Sequence, residues 1–315
     1  MFIVPLQVEK SKEVVHMKKR QLGTSELFIS EISLGGMSLS TDKKQAATIV
    51  DMALDAGINY IDTADLYDYG ANEEIIGATL GKRRKDVILA TKVGNRWTEG
   101  VDGWQWDASP SYIKEAIHAS LRRLGTDYID LYQLHGGTIE DDWDGIISTF
   151  EDLKKEGLIR EYGISSIRPN VLRRFLPASS AKSVMMQYSA LDRRPEEWFE
   201  LIAKEGASVV TRGTVAKGLL TNSWQQRLQR VNGFNTYTVE ELFKTLTDLA
   251  AQYDDLHALA IAFNLKEPTI ASTVIGASSQ QQLAETLAAY EKIDSITDLK
   301  IANKLTKDEH YQEHR

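Results

Sequence analysis

Short apolar runs recur along the chain. Each ends at a polar residue or glycine, and a stretch with helical spacing follows. The first two runs, 20–22 and 27–29, flank Gly23-Thr24-Ser25-Glu26 and predict a β-hairpin. Strand-like runs then fall at 32–36, 59–61, 87–90, 128–132, 162–164, 183–186, 209–210 and 272–275. Between them, 42–56 places Ile49, Met52 and Ala53 on one helical face, with Gly57 as the stop. Helices are also predicted at 72–80 with Asn72 as N-cap, and at 110–124 with Ser109 as N-cap and Pro110 at the first position. Further helices are expected at 142–156, 170–175, 196–204 and 280–290, and the long gap before the last strand holds an extra one at 239–252. Strands alternating with helices predict an α/β fold of parallel strands. The eight-fold count favours a (β/α)8 barrel of the TIM type, with an N-terminal β-hairpin and an extra helix before the last strand. A doubly wound open sheet would give the same alternation, but no G-x-G occurs anywhere in the chain.

Patterning of this kind starts only at Met17. Lys12-Glu13-Val14 can be encoded by AAG-GAG-GTN, which reads as a ribosome-binding sequence upstream of Met17. Met17 is therefore expected to be the natural start, residues 1–16 a non-native or disordered extension, and 17–315 one barrel domain.

Composition narrows the function. The net charge of −8 argues against nucleic acid as a main partner. The chain has no cysteine, which excludes disulfides, thiolate nucleophiles and Cys-ligated zinc. No apolar run approaches the ~18 residues of a membrane span and no secretory signal is visible, so the expected compartment is the cytoplasm.

Four chemistry-bearing residues stand just past three consecutive strand runs: Asp62, Tyr67, Lys92 and His135. In a (β/α)8 barrel the ends of the strands share one rim, where chemistry sits. Singly, each has a structural reading: Asp62 as a cap, Lys92 in a rim ion pair, Tyr67 as a surface aromatic, His135 as a structural residue. Their joint placement points to proton transfer. A phenol is a poor acid at neutral pH, and an adjacent ammonium favours its phenolate. Asp62 can hold Lys92, and His135 can hydrogen-bond a substrate oxygen. The set suits protonation of a carbonyl oxygen while hydride reaches carbon.

Residues 57–67 (Gly-Ile-Asn-Tyr-Ile-Asp-Thr-Ala-Asp-Leu-Tyr), with Asn72-Glu73-Glu74-Ile75-Ile76-Gly77, resemble the first signature of the aldo-keto reductase family. Residues 120–135 resemble the second. The resemblance covers nearly the whole chain and is strongest to the bacterial open-chain branch. It implies a nicotinamide cofactor and a catalytic tetrad of Asp62, Tyr67, Lys92 and His135. Tyr67 would be the acid in carbonyl reduction, Lys92 would tune it, Asp62 would brace Lys92, and His135 would orient the carbonyl.

It also implies cofactor contacts from Gly36 and Met37, from Ser165, Ser166 and Gln187 at the carboxamide, and from Arg212 at the ring. Gly213, Thr214, Lys217, Gly218 and Leu220 would hold the pyrophosphate. Gly276, Ser278, Ser279, Gln282, Glu285 and Thr286 would hold the adenosine end. Three departures stand out. Ser166 replaces the usual Asn. Arg212 replaces a common Tyr; a guanidinium stacks on the neutral reduced ring and repels the cationic oxidised one, which would favour the reduced coenzyme. The basic residues that usually clamp a 2′-phosphate are missing from the last-strand motif. NADPH is the expected coenzyme, with NADH possible.

Trp97, Trp104 and Trp106 are candidates for the substrate-pocket wall. The expected activity is reduction of aldehydes, and of ketones at the margin, with a small carbonyl compound as partner, no metal, no nucleic acid, no membrane, and a monomer by default. The competing reading is a cofactor-binding, redox-sensing regulatory subunit with slow turnover. A barrel hydrolase has little support, because no second carboxylate is placed for it. Gly77–Lys82 has the wrong spacing for a phosphate loop, and Lys82-Arg83-Arg84-Lys85 reads as a solvated cluster. His310 and His314 read as part of a charged tail.

Overall fold

A computed structural model describes residues 17–315; the expectation for residues 1–16 lies outside the described residues. Strands β1 (Lys19–Gln21) and β2 (Phe28–Ser30) form the predicted hairpin, with Arg20 opposite Ile29. They are followed by β3 (Ile32–Gly35), β4 (Tyr60–Asp62) and β5 (Ile88–Val93). A short antiparallel pair comes next, β6 (Asn95–Arg96) and β7 (Gln105–Trp106). Then come β8 (Ile129–Leu134), β9 (Ile159–Ser165), β10 (Ser183–Gln187), β11 (Ser208–Arg212) and β12 (Ile270–Gly276). Strands β3, β4, β5, β8, β9, β10, β11 and β12 are parallel neighbours in that order, and β12 closes on β3. The fold is the expected closed (β/α)8 barrel.

The helices are α1 (Lys43–Asp55), α2 (Ala71–Leu80), α3 (Pro110–Leu124), α4 (Trp143–Lys155), α5 (Pro169–Phe175), α6 (Phe199–Lys204), α7 (Trp224–Leu228), α8 (Val239–Gln252), α9 (Leu256–Leu265), α10 (Gln280–Tyr290) and α11 (Lys300–Leu305). Most of their caps follow from local sequence. Asp42 accepts from the amides of Lys44 and Gln45, Ser109 from Tyr112 ahead of Pro110, and Thr238 forms a capping box with Glu241. None of the described helices is long and apolar enough to cross a membrane.

Two kinds of reading need correction. The β6–β7 pair and helices α7 and α11 have no counterpart among the predicted elements; each is too short to show a period. Helix α9 has none either: all ten of its residues are buried, so it shows no solvent-facing side and no 3.6-residue rhythm to betray it. Asn72 is not an N-cap. It sits inside α2, buried, and donates to the Gly36 carbonyl while accepting from the Thr63 hydroxyl. The cap position is Gly70, whose left-handed backbone leaves no room for a side chain; a Cβ there would lie 2.7 Å from Arg123 Cδ.

Side chains alternate across each strand. Tyr60, Ala90, Leu131, Met185 and Val210 point into the barrel, and they form one apolar cluster with Leu22, Leu27 and Ile29 of the hairpin. The hairpin thus plugs the floor. Each of its three apolar side chains contributes about 1.5–3 kcal/mol by burial. The opposite faces of the strands pack against the helices in a second, larger cluster.

Candidate active site

The same alternation builds the site. Two residues past each floor residue, the chain places another inward side chain at the upper rim: Asp62 after Tyr60, Lys92 after Ala90, Gln133 after Leu131, Gln187 after Met185 and Arg212 after Val210. Asp62 is in register with Ala90, and Lys92 with Gln133. The ends of β4, β5 and β8 therefore stand side by side.

Lys92 is fully buried. Its Nζ donates to Asp62 Oδ2 at 2.5 Å, to the Thr63 carbonyl at 2.7 Å and to the Tyr67 hydroxyl at 3.3 Å. Burial pulls the Lys92 value down. The charge and hydrogen bonds of Asp62 and Tyr67 more than offset this and lift it above the ordinary lysine value, so the ammonium stays charged. Gln133 Nε2 holds the other Asp62 oxygen at 3.2 Å. Gln133 was not foreseen; a polar side chain on the inward parity after Leu131 was the signal for it.

Tyr67 is half-buried and meets the His135 ring edge-on, with centroids 6.0 Å apart. The His135 amide donates to the Val93 carbonyl at 2.7 Å, which ties the residue to the end of β5. Its pKa is lowered to about 3 by burial first and then by the Lys92 and Arg212 charges. The ring is neutral at physiological pH, and its buried Nδ1 has no partner among the described residues.

A cleft of about 1150 Å³ opens above this group. Tyr67, His135, Trp104, Trp106, Arg168, Ser165, Ser166, Gln187 and Arg212 are on its walls. A second cleft of about 530 Å³ shares Val215, Lys217, Ile275 and Gly276 with the first and continues to Gln282, Glu285 and Thr286. Together they make one groove across the ends of β11 and β12. Between the two parts the backbone is left-handed at Gly213, Ala216, Lys217 and Gly218. Consecutive amides in such turns make an anion-binding concavity.

The sequence pattern of the aldo/keto reductase family matches residues 31–305. The chain belongs to this family. It is 50% identical to the oxidoreductase YqkF of Bacillus subtilis (strain 168), over 95% of this chain and all of that protein. It is 30% identical to the NADH-specific methylglyoxal reductase of Escherichia coli (strain K12), over 87% of this chain and 93% of that one. Among solved structures, the holo form of aldo-keto reductase AKR11C1 from Bacillus halodurans superposes with a TM-score of 0.89 at 51% identity, covering 95% of this chain and 100% of that one. The protein is accordingly an oxidoreductase of a family that uses nicotinamide cofactors.

As a family member, the chain brings together most of the residues named from sequence. Gln187 is oriented at both ends: its Nε2 donates to Asp192 at 2.8 Å and its Oε1 accepts from Arg212 Nη1 at 3.0 Å. Thr214 is buried and hydrogen-bonded to Thr273. Ser166 accepts from the Arg168 amide at 3.3 Å, and exposed Met37 lies on the groove wall. Ser279 caps α10, and Ser278 donates both its amide and its hydroxyl to Gln282 Oε1, so these residues brace the edge of the second cleft.

Others fall elsewhere. Trp97 is not on the cleft wall: its Nε1 donates to the Asp65 carbonyl at 2.9 Å, and its ring packs on Tyr69 and under Arg123. Leu220 is fully buried in the helix-side core. Gly36 is buried behind the wall, where its carbonyl receives Asn72. Residues not foreseen on the groove include Asn95, Arg168, Arg227, Asp255 and His257. Most of these belong to loops or to the unrecognised α9, where spacing carries no signal.

Proposed function

We propose that the protein reduces aldehydes to alcohols with a nicotinamide coenzyme, Tyr67 acting as the general acid. The observation that carries this reading is the contact of the Tyr67 hydroxyl with the fully buried Lys92 ammonium. The groove would hold a reduced nicotinamide, which would supply hydride to the carbonyl carbon. Tyr67 gives its proton to the carbonyl oxygen as charge builds there, and Lys92 stabilises the phenolate left behind. Asp62, fixed by Gln133, keeps Lys92 charged and aimed. His135, being neutral, offers an N–H to the carbonyl oxygen without competing as an acid. Solvent returns the proton to Tyr67.

The residues fit a dinucleotide. Gln187 presents a preset amide next to the tetrad. The left-handed loop at 213–218 suits the pyrophosphate, and Lys217 and Arg227 line the adjoining cleft without a carboxylate partner among the described residues. These two cations support NADPH. Glu285 on the same cleft favours NADH, since a carboxylate there accepts from a ribose diol and repels a 2′-phosphate. The Arg212 guanidinium, if it stacks on the ring, biases binding toward the reduced form. The redox-sensing alternative has no observation in its favour.

Coenzyme oxidation against an aldehyde panel tests the reading, with both coenzymes titrated. Tyr67→Phe keeps the ring and deletes the proton, and activity should fall by about 10²–10⁴. A Phe variant that retains wild-type turnover refutes the assignment of the acid.

A further inference from the structure

We propose that the carbonyl substrate carries an oxyanion, a carboxylate or a phosphate, and that Arg168 receives it. This rests on the reductase reading above and adds the class of aldehyde it takes.

Three cations line the large cleft: Arg168, Arg212 and Lys217. The carboxylate on its wall, Asp62, is already engaged by Lys92. Arg212 is bonded to Gln187, and Lys217 lies in the left-handed loop; both belong to the part of the groove that suits the coenzyme. Arg168 belongs to neither group. It follows Ser165 and Ser166 beyond β9, and its Nη1 donates to the Gly137 carbonyl at 2.8 Å. Gly137 is two residues past His135, so at ~3.8 Å per Cα step, with the carbonyl and the imidazole side chain added, the guanidinium is tethered within roughly 15 Å of the imidazole, and both line the same cleft.

Half-buried Arg84, Arg123, Arg193 and Arg194 each pair with a carboxylate. Arg168, half-buried too, has no carboxylate partner among the described residues, and its Nε and Nη2 donate no hydrogen bond to them. That edge is the part of the fork that takes two oxygens of a carboxylate or phosphate side by side. The anchor at Gly137 fixes the fork in advance, which reduces the ordering cost of binding. The same cleft offers apolar wall from Trp104, Trp106, Met37 and Ile167. An aldehyde at one end, a short apolar stem and an oxyanion at the other match this arrangement.

The test compares matched aldehydes with the coenzyme-loaded enzyme: 4-oxobutanoate against butanal, and glycolaldehyde phosphate against glycolaldehyde. The wild type should prefer the charged member of at least one pair, and added salt should weaken that preference. Arg168→Gln should lower kcat/KM for the preferred charged member by about tenfold to hundredfold, mainly through KM, and leave the neutral members within about twofold. Arg168→Lys, which keeps the charge and loses the fork, should recover part of the loss. A loss limited to one charged member identifies carboxylate or phosphate. No preference for charge in the wild type, or an equal fall for charged and neutral aldehydes in Arg168→Gln, overturns the proposal and leaves Arg168 as an anchor for the loop at Gly137. Absence of turnover on every aldehyde with either coenzyme sinks the reductase reading itself.

Discussion

Removing the Lys92 and Asp62 charges together separates what this pair does for the fold from what it does for the Tyr67 proton. Lys92 Nζ lies 3.3 Å from the Tyr67 oxygen. Two unit charges at that distance interact by roughly 5 kcal/mol at an effective dielectric of ~20. If about half the phenolate charge has formed in the transition state, about half of that energy is felt. A loss of ~2.5 kcal/mol corresponds to a rate decrease on the order of 10². Lys92→Met alone strands a buried carboxylate, at a cost of about 3–5 kcal/mol to the fold, and its activity would be hard to read. Asp62→Asn/Lys92→Met removes both charges. Its unfolding free energy in urea should return to within about 2 kcal/mol of wild type, while kcat on a simple aldehyde stays down by about 10². Denaturation followed by circular dichroism measures the first, and coenzyme oxidation at saturating aldehyde the second. A folded double variant with kcat within about threefold of wild type would show that the ammonium does not act on the phenol, and the mechanism above would fall.

Further outcomes follow from two buried titratable groups. The folded pKa of His135 is depressed to about 3 from an ordinary 6.5, so the unfolded chain binds the extra proton first. Its contribution to stability is present above pH ~6.5 and is lost as pH falls toward ~3; His135→Gln should flatten the acid limb of a stability–pH curve over that window. The profile of kcat/KM should show no limb near pH 6–7 that disappears in this variant; finding one would mean that the ring titrates during catalysis. Asp65 is buried, and both its carboxylate oxygens lack partners among the described residues. Burial, and then the charge of Glu73, push its carboxyl well up. Stability tied to this group is present below the ordinary carboxylate value and is lost as pH rises through the folded one. Asp65→Asn should therefore raise Tm at pH 7 relative to its effect at pH 4; an equal effect at both pH values, or a larger one at pH 4, would contradict the assignment.

The hairpin, seven of the barrel helices and all eight barrel strands were legible in the chain because each carries a local signature: a turn, a cap, or an apolar period of two or 3.6. Ser109-Pro110 and Asp42 show this at single helix starts. Helix α9 was missed for the opposite reason, since a segment buried on every side shows no polar–apolar period. Asn72 misled because its residue type favours a cap, while the tertiary structure uses its amide to tie α2 to Gly36 and Thr63. Trp97 misled because exposed loop tryptophans look alike in sequence, and the fold set this one against Tyr69 and Arg123 instead of on the cleft.

What the chain determined by itself was the order of strands and helices and, through inward parity, that Asp62, Lys92, Gln187 and Arg212 would share a rim. Those are near-neighbour properties, decided by backbone geometry and alternation. Only closure of the barrel decided that Gln133 would steady Asp62, that His135 would be kept neutral, and that Arg168 would be hooked to the Gly137 carbonyl without a carboxylate. Such facts depend on burial and on charges brought close from distant parts of the sequence, and neither exists until the sheet has closed on itself.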